Sequence, residues 1–434
     1  MAGSSLARDV LTHLPQPGWS LAFPGWSLAF PGRPRPSGAM TLPIVRLIPR
    51  QTHRCLNGHP WVFRSELEPA ALTDIADAAE IEVQDHRSRL IGRGFYSAQS
   101  QIAVRLATRR AIPLDRAFLR TRLQAAINHR ATVMPGRSAC RLVSSEGDLL
   151  PGLIVERYAD RLVIQTTTSG IEARMPEILD LLGELCQPSQ IVERNDFPAR
   201  ELEGLPRRAG VLRGPQETIV RVQLGDIDVD VDLRDPHKTG AYLDQIDSHR
   251  ALTEWTPRGG RVADVFAHRG GFALHLLHAG AASAVAVDEA AAGLFDAIQA
   301  AERCGFAGRF NTVQADAFRW LREQDAAKTT FDLVVLDPPA FARTRAAVPG
   351  ALRGYRDLHV HALRLLAPGG RLASWSCSSH VGETDFLNTA VEAAAEGRRT
   401  IRFDTAFGQP ADHPWLPAAP ETRYLKGFLL TVLE

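Results

Sequence analysis

From about residue 226 the chain alternates short apolar runs with helical stretches, and this rhythm limits the fold more than any other feature. The runs "GRVADVFA" (260–267), "SAVAVD" (283–288), "FNTVQAD" (310–316), "FDLVVLD" (331–337) and "GRLASWSC" (370–377) read as strands. Helical spacing fills the intervals at 271–279, 290–304, 317–324 and 356–367. Near-continuous apolar strands joined by crossover helices predict a parallel sheet covered on both faces. Three of the strands end in aspartate, at Asp288, Asp316 and Asp337. In open α/β sheets ligands bind beyond the carboxyl ends of strands, so these acids mark a candidate site.

Upstream the pattern differs. Residues 41–107 carry short alternating segments, "AEIEVQD" (79–85) and "QIAVRLA" (101–107), with turns between them, and predict a small β-barrel. Residues 108–225 mix helical spacing at 116–130 and 172–186 with a hairpin over 150–167 that turns at Ala159 and Asp160, a small α+β domain. Residues 1–40 repeat "PGWSLAF" at 17–23 and 24–30 and read as a disordered extension, with Met40 as an alternative start.

Charge divides along the same lines. Residues 41–141 hold sixteen Arg, no Lys and eight acidic residues, a net of +8, whereas residues 142–434 have a net of −9. A basic front on an acidic body points to a polyanionic partner. The five cysteines are widely spaced and form no C-x-x-C pair, which argues against a disulfide framework or a metal site and for a reducing cytoplasm. No apolar run approaches a membrane span.

Within the alternating region, "ADVFAHRGGFALHLL" (263–277) reads as strand, glycine turn, helix. Gly270 and Gly271 let backbone approach a ligand, and the helix start offers free N–H groups. Asp288 lies where a carboxylate accepts ribose hydroxyls, and Asp316 lies where one accepts the amine of an adenine. The alternative is that both simply cap the next helix. Neither G-x-G-x-x-G nor G-x-x-x-x-G-K-[ST] occurs, which disfavours NAD and ATP and suits a nucleoside cofactor without phosphates, S-adenosylmethionine. In "LDPPAF" (336–341) two prolines stiffen the loop after Asp337 and remove two N–H donors, leaving acceptors for a base that carries an amino group. Finally "SWSCSSHV" (374–381) puts Cys377 at a strand end among serines, a setting that suits an accessible thiol.

By these motifs, residues 226–434 resemble a Rossmann-like class I S-adenosylmethionine-dependent methyltransferase. The chain from 41 onward resembles bacterial 23S ribosomal RNA cytosine-5 methyltransferases with an N-terminal PUA domain. The resemblance is carried by "GHPWVF" (58–63), "GRGFYSAQSQIAVR" (92–105), "RLVSSEGDLLPGLIVERY" (141–158), "HKTGAYLDQ" (237–245), "GGFALHLL" (270–277), "DPPAF" (337–341), "GALRGYRDL" (350–358), "SCS" (376–378), "ADHP" (411–414) and "YLKGF" (424–428). It implies a PUA RNA-binding barrel at 41–107, a linking domain at 108–225 and the catalytic domain at 226–434.

The resemblance also implies roles. Cys377 would be the nucleophile that adds to carbon 6 of cytosine, and Asp337 would hold the N3/N4 edge of the base. Gln245, Asp264, Gly270, Gly271, Asp288, Asp316, Asp337 and Pro338 would surround S-adenosylmethionine. A related guanine-methylating family has asparagine near the Cys377 position. The partner would be ribosomal RNA presenting a single-stranded or flipped-out cytosine. Location would be cytoplasmic, no membrane is involved, and a homodimer stays open. The chain departs from the family pattern at His268-Arg269, where Tyr-Thr is usual, at Glu289 and at Ala340. Arg269 is expected to be neutralised by Asp264, Glu289 or Asp316. Those departures motivate a second reading, an RNA-binding protein with a degenerate cofactor loop; a third is methylation of another RNA base.

Overall fold

The computed structural model describes residues 42–49, 52–234 and 241–434. The expectation for residues 1–40, and the "HKTG" part of "HKTGAYLDQ", lie outside the described residues.

The front module is a curled five-stranded sheet: β1 (Ile44–Arg46), β2 (Trp61–Val62), β3 (Glu80–Gln84), β4 (Leu90–Tyr96) and β5 (Val104–Thr108), in the order β1-β3-β4-β5-β2. Alternation along β3 sends Ile81 and Val83 into a core with Val45, Val62 and Leu106. The outward-facing Glu82 instead pairs with Arg93 on β4 at 3.0 Å.

The middle module starts with α1 (Arg116–Val133), capped by the Asp115 carboxylate, which accepts the Phe118 N–H. There follow β6 (Ala139–Ser144), β7 (Leu153–Tyr158), β8 (Arg161–Thr166), α2 (Ser169–Glu172), α3 (Met175–Cys186), β9 (Gln190–Asn195) and β10 (Arg208–Arg213), with sheet order β10-β9-β8-β7-β6. Leu119 and Leu123 of α1 and Leu181 of α3 pack on that sheet. The β7–β8 turn falls at Ala159, which has φ +54°, as the hairpin reading expected. A separate hairpin, β11 (Ile219–Leu224) and β12 (Ile227–Asp232), leads into the last module.

That module contains α4 (Ile246–Thr253), β13 (Arg261–Val265), α5 (Gly271–His278), β14 (Ser283–Asp288), α6 (Ala291–Arg303), β15 (Phe310–Gln314), α7 (Ala317–Ala326), β16 (Phe331–Leu336), α8 (Val348–Arg364), β17 (Leu366–Ser376), α9 (Glu383–Glu396), β18 (Ile401–Gly408) and β19 (Lys426–Val432). Its seven-stranded sheet has the order β15-β14-β13-β16-β17-β19-β18. Strands β13 to β17 are parallel, as predicted, and β19 runs antiparallel between β17 and β18. The chain steps outward from β13 through β14 to β15, then returns to the other side of β13 for β16. Strand order therefore reverses between β13 and β16, where open sheets form a ligand crevice.

Polar links tie the front and middle modules to the C-terminal hairpin. Glu421, between β18 and β19, accepts Arg54 Nη2 at 2.5 Å and His59 Nε2 at 3.1 Å. Arg130 on α1, only 1% exposed, grips Asp148 through both terminal guanidinium nitrogens and donates to the Asp412 carbonyl at 2.8 Å. Removing one partner of the buried Arg130–Asp148 pair costs about 3–5 kcal/mol, and the same guanidinium reaches the C-terminal segment through the Asp412 carbonyl. Among the described residues no helix is long and apolar enough to cross a membrane.

Candidate active site

A cavity of about 530 Å³ opens at the reversal point, within the ~300–1,000 Å³ typical of small-molecule sites. Of the nine candidate residues, Gln245, Gly271, Asp288, Asp316, Asp337, Pro338 and Cys377 line it. Asp264 and Gly270 do not. Asp264 lies behind the wall, 1% exposed, and accepts the Ala273 N–H of α5 at 3.0 Å. Burial pushes its carboxyl up to about 7, against the pull of that N–H. Asp264 thus pins α5 to β13 beneath the loop. Gly270 has φ +69° and starts α5, and a Cβ there would meet Ala297 at 3.2 Å, so its part is to turn the chain.

The loop between β13 and α5 is unusually bent. Phe266 and His268 have φ of +66° and +48°, a left-handed conformation that costs a non-glycine residue roughly 1 kcal/mol or more. The bend is held from β14: the Ala267 N–H donates to the Val287 carbonyl at 3.0 Å, and the His268 N–H to Asp288 Oδ2 at 2.8 Å. Asp288 Oδ1 accepts the Ala290 N–H at 2.8 Å. These bonds aim the Asp288 carboxylate while each oxygen keeps acceptor capacity. Asp316 caps α7 by accepting the Arg319 N–H at 2.7 Å and also lines the cavity.

Arg269 is neutralised, but not by the acids the sequence suggested. Its Nε lies 3.0 Å from Asp296 Oδ2 on α6. Nothing local in the sequence marks that pair, because it depends on α6 folding back beside the loop. Two further residues missed from sequence, His249 and Tyr242, also line the cavity. The His249 ring lies so close to Gly271 that a Cβ there would stand 2.4 Å from its Cε1. Burial, then the neighbouring His275, push His249 well below the usual histidine range, so it adds no positive charge. Burial and the carboxylates of Asp337, Asp244 and Asp288 push the Tyr242 phenol upward and keep it neutral.

At the other end Asp337 and Cys377 follow the adjacent parallel strands β16 and β17 and share the cavity. Gln245 Nε2 donates to Asp337 Oδ2 at 2.9 Å and fixes that carboxylate. The serines around Cys377 have a structural task. The Tyr355 hydroxyl on α8 hydrogen-bonds with Ser376 Oγ at 2.9 Å and Ser378 Oγ at 3.1 Å. Ser378 Oγ also accepts the Ala342 N–H at 3.2 Å, which ties the proline loop to the cysteine loop. Cys377 itself remains half-buried and faces the cleft.

S-adenosylmethionine presents two cationic groups, ribose hydroxyls and an exocyclic amine. The cavity offers the carboxylates of Asp244, Asp288, Glu289, Asp316 and Asp337, against one guanidinium that is already paired. Gln245 Oε1 is buried and has no hydrogen-bond partner among the described residues, an acceptor that a ligand donor would satisfy. The aromatic rings of Phe266, Phe318 and Phe341 line the cavity beside Asp316 and Pro338, a surface for a planar base. The residues present fit this cofactor.

Comparison with known proteins agrees. Residues 45–109 match a PUA-like domain, and residues 211–426 match the S-adenosylmethionine-dependent methyltransferase family model. A solved protein described as a SAM-dependent methyltransferase from Streptococcus mutans shares the fold, with a TM-score of 0.76 and 17% identity over 90% of this chain and all of that one. Fold and cleft together define an S-adenosylmethionine-dependent methyltransferase with a PUA-like front domain. Among curated proteins, ribosomal RNA large subunit methyltransferase I of Photobacterium profundum is 36% identical over 85% of this chain and 94% of its own length. Its namesake from Aeromonas hydrophila is 37% identical over 89% and 98%. The chain belongs to the ribosomal RNA large subunit methyltransferase I family, and its cofactor is S-adenosylmethionine.

Proposed function

We propose that the chain methylates carbon 5 of a cytosine in 23S ribosomal RNA through a covalent adduct on Cys377. The observation that carries this reading is the pairing of Cys377 and Asp337 at the ends of adjacent strands, inside the cofactor cavity. Relatives named for methylation of large-subunit ribosomal RNA support the substrate class. So does a second cleft, about 670 Å³, between the front sheet and α1, lined by Arg109, Arg110 and Arg122. Guanidinium groups there suit a phosphate backbone.

Carbon 5 of cytosine is too weak a nucleophile to accept a methyl group unaided. Cys377 as thiolate adds to carbon 6, and the electron pair of the ring double bond moves toward N3. Asp337, held by Gln245, grips the N3/N4 edge and favours protonation there. Carbon 5 then has enamine character. S-adenosylmethionine supplies the electrophilic methyl group. Once carbon 5 is methylated, its proton passes to water, the double bond re-forms as the Cys377 thiolate leaves, and N3 gives up the proton it had gained. A base inside a duplex cannot reach this cleft, so the target is single-stranded or flipped out. The reaction belongs in a reducing cytoplasm, where the five cysteines stay free. Pairing of Arg269 with Asp296 disfavours the reading as an RNA-binding protein with a degenerate loop.

Bisulfite sequencing of 23S ribosomal RNA from a deletion strain tests the proposal. One protected cytosine should disappear, return with the wild-type gene and stay absent with Cys377→Ser. Full protection by the serine variant would overturn it.

A further inference from the structure

Lys426 is a buried cation with no task in the chemistry above. It opens β19 directly across from Ser376, the residue before Cys377. Its side chain is 7% exposed, and Nζ donates to the Ser378 carbonyl, the residue after Cys377, at 2.7 Å. Lys426 therefore grips the cysteine loop from behind. Among the described residues it forms no salt bridge. The nearby Glu383 carboxylate is engaged by Arg423 at 2.5 Å. Burying an ammonium group without a counter-ion is costly, so such an arrangement needs an anion that forms in use. The group beside it that becomes anionic is Cys377.

We propose that Lys426 is a positioning residue for the nucleophile: its ammonium stabilises the Cys377 thiolate, and its bond to the Ser378 carbonyl holds the loop that carries the thiol. This rests on the reading of Cys377 as nucleophile. The other titratable groups around the loop do not supply a positive charge. Burial keeps the Tyr355 and Tyr242 phenols neutral, Asp337 is an anion that opposes the thiolate, and Arg423 is occupied by Glu383. Burial lowers Lys426 to about 8, and Cys377 first, then Glu383, acts in the opposite direction, so lysine and cysteine sense each other. Lys426 keeps its proton at neutral pH because the thiolate favours it, and the thiolate forms because Lys426 is charged.

The test is the pH profile of Cys377 alkylation by iodoacetamide, read by mass spectrometry of its peptide in the full chain. Lys426→Met should raise the midpoint by about one pH unit, about tenfold less thiolate at neutral pH. Lys426→Arg should recover most of the shift. A purely structural role would lower thermal stability in the methionine variant and leave the midpoint in place; a shift below about 0.3 unit overturns the proposal. If the methionine variant does not fold, the wild type still decides. The chain has three lysines, Lys238, Lys328 and Lys426, so selective isotope labelling lets NMR follow each ε-carbon. Cys377→Ala should lower the Lys426 titration midpoint, and an unchanged midpoint overturns the proposal. Neither measurement requires methyl transfer, so a failure here is distinct from activity persisting in Cys377→Ser, which would remove the nucleophile reading itself.

Discussion

Asp296→Ala should weaken S-adenosylmethionine binding although Asp296 does not line the cavity. Its carboxylate lies 3.0 Å from Arg269 Nε, and the two side chains are 42% and 18% exposed. Without it, the guanidinium faces a cavity that must accept a sulfonium and an ammonium. Two like unit charges about 6 Å apart repel by about 0.7 kcal/mol in water and about 2.8 kcal/mol at the effective dielectric of a protein surface. The half-exposed partner places this pair toward the screened limit, so the expected penalty is about 1 kcal/mol, roughly fivefold in Kd. Isothermal titration calorimetry at low salt measures it. Arg269→Thr alone should change affinity less than about tenfold, because Asp296 already cancels the charge, and the double variant should return close to wild type. Unchanged affinity in Asp296→Ala would refute the electrostatic reasoning. A gain of about a hundredfold in Arg269→Thr would show that the native loop opposes the cofactor.

Three other outcomes follow from particular contacts. Gly271→Ala would place a Cβ 2.4 Å from His249 Cε1, so cofactor affinity should drop by about tenfold or more, and His249→Ala should restore part of it in calorimetry. Tyr355→Phe leaves the buried Ser376 and Ser378 hydroxyls short of a partner; thermal unfolding should show a loss of about 1–3 kcal/mol, with a lower kcat at unchanged cofactor Kd. Burial raises the Asp412 carboxyl, but His413 and the Arg141 N–H outweigh it and hold Asp412 below its ordinary 3.8. A depressed folded-state value means stability that is present above 3.8 and lost as pH falls through the lower value. Melting curves should therefore show Asp412→Asn less stable than wild type at pH 7, with the gap narrowing as pH falls below 3.8.

The parts of the fold that were legible in sequence are those where local pattern and tertiary role agree. "SAVAVD" gives β14 with its observed bounds, because a strand buried on both faces is apolar throughout and stops at a polar residue. Helix α8 was read from 356 but starts at Val348. Pro349 is tolerated in the first helical turn, and packing of Ala351 and Tyr355 outweighs the penalty of Gly350 and Gly354. Strand β17 begins at Leu366 and not at Gly370, and its register against β16 is irregular over that added stretch. Among the site residues, Asp288, Asp316 and Asp337 were legible because they end strands. Asp296, Tyr355 and Lys426 were not, since each meets its partner through helix packing or through the insertion of β19 beside β17. Asp264 shows the limit from the other side: a strand acid within the motif whose carboxylate turns to the Ala273 N–H instead of the cavity.

The covalent step can be observed directly. Transcribed 23S ribosomal RNA that contains 5-fluorocytidine would be incubated with the full chain and S-adenosylmethionine. Fluorine at carbon 5 cannot leave as the proton does, so the final elimination stalls and the adduct persists. After nuclease and protease digestion, mass spectrometry should find a methylated fluorocytidine nucleotide on the peptide that carries Cys377. The adduct should be absent with Cys377→Ser. An adduct on another residue, or none while the same protein methylates unmodified RNA, would contradict the account.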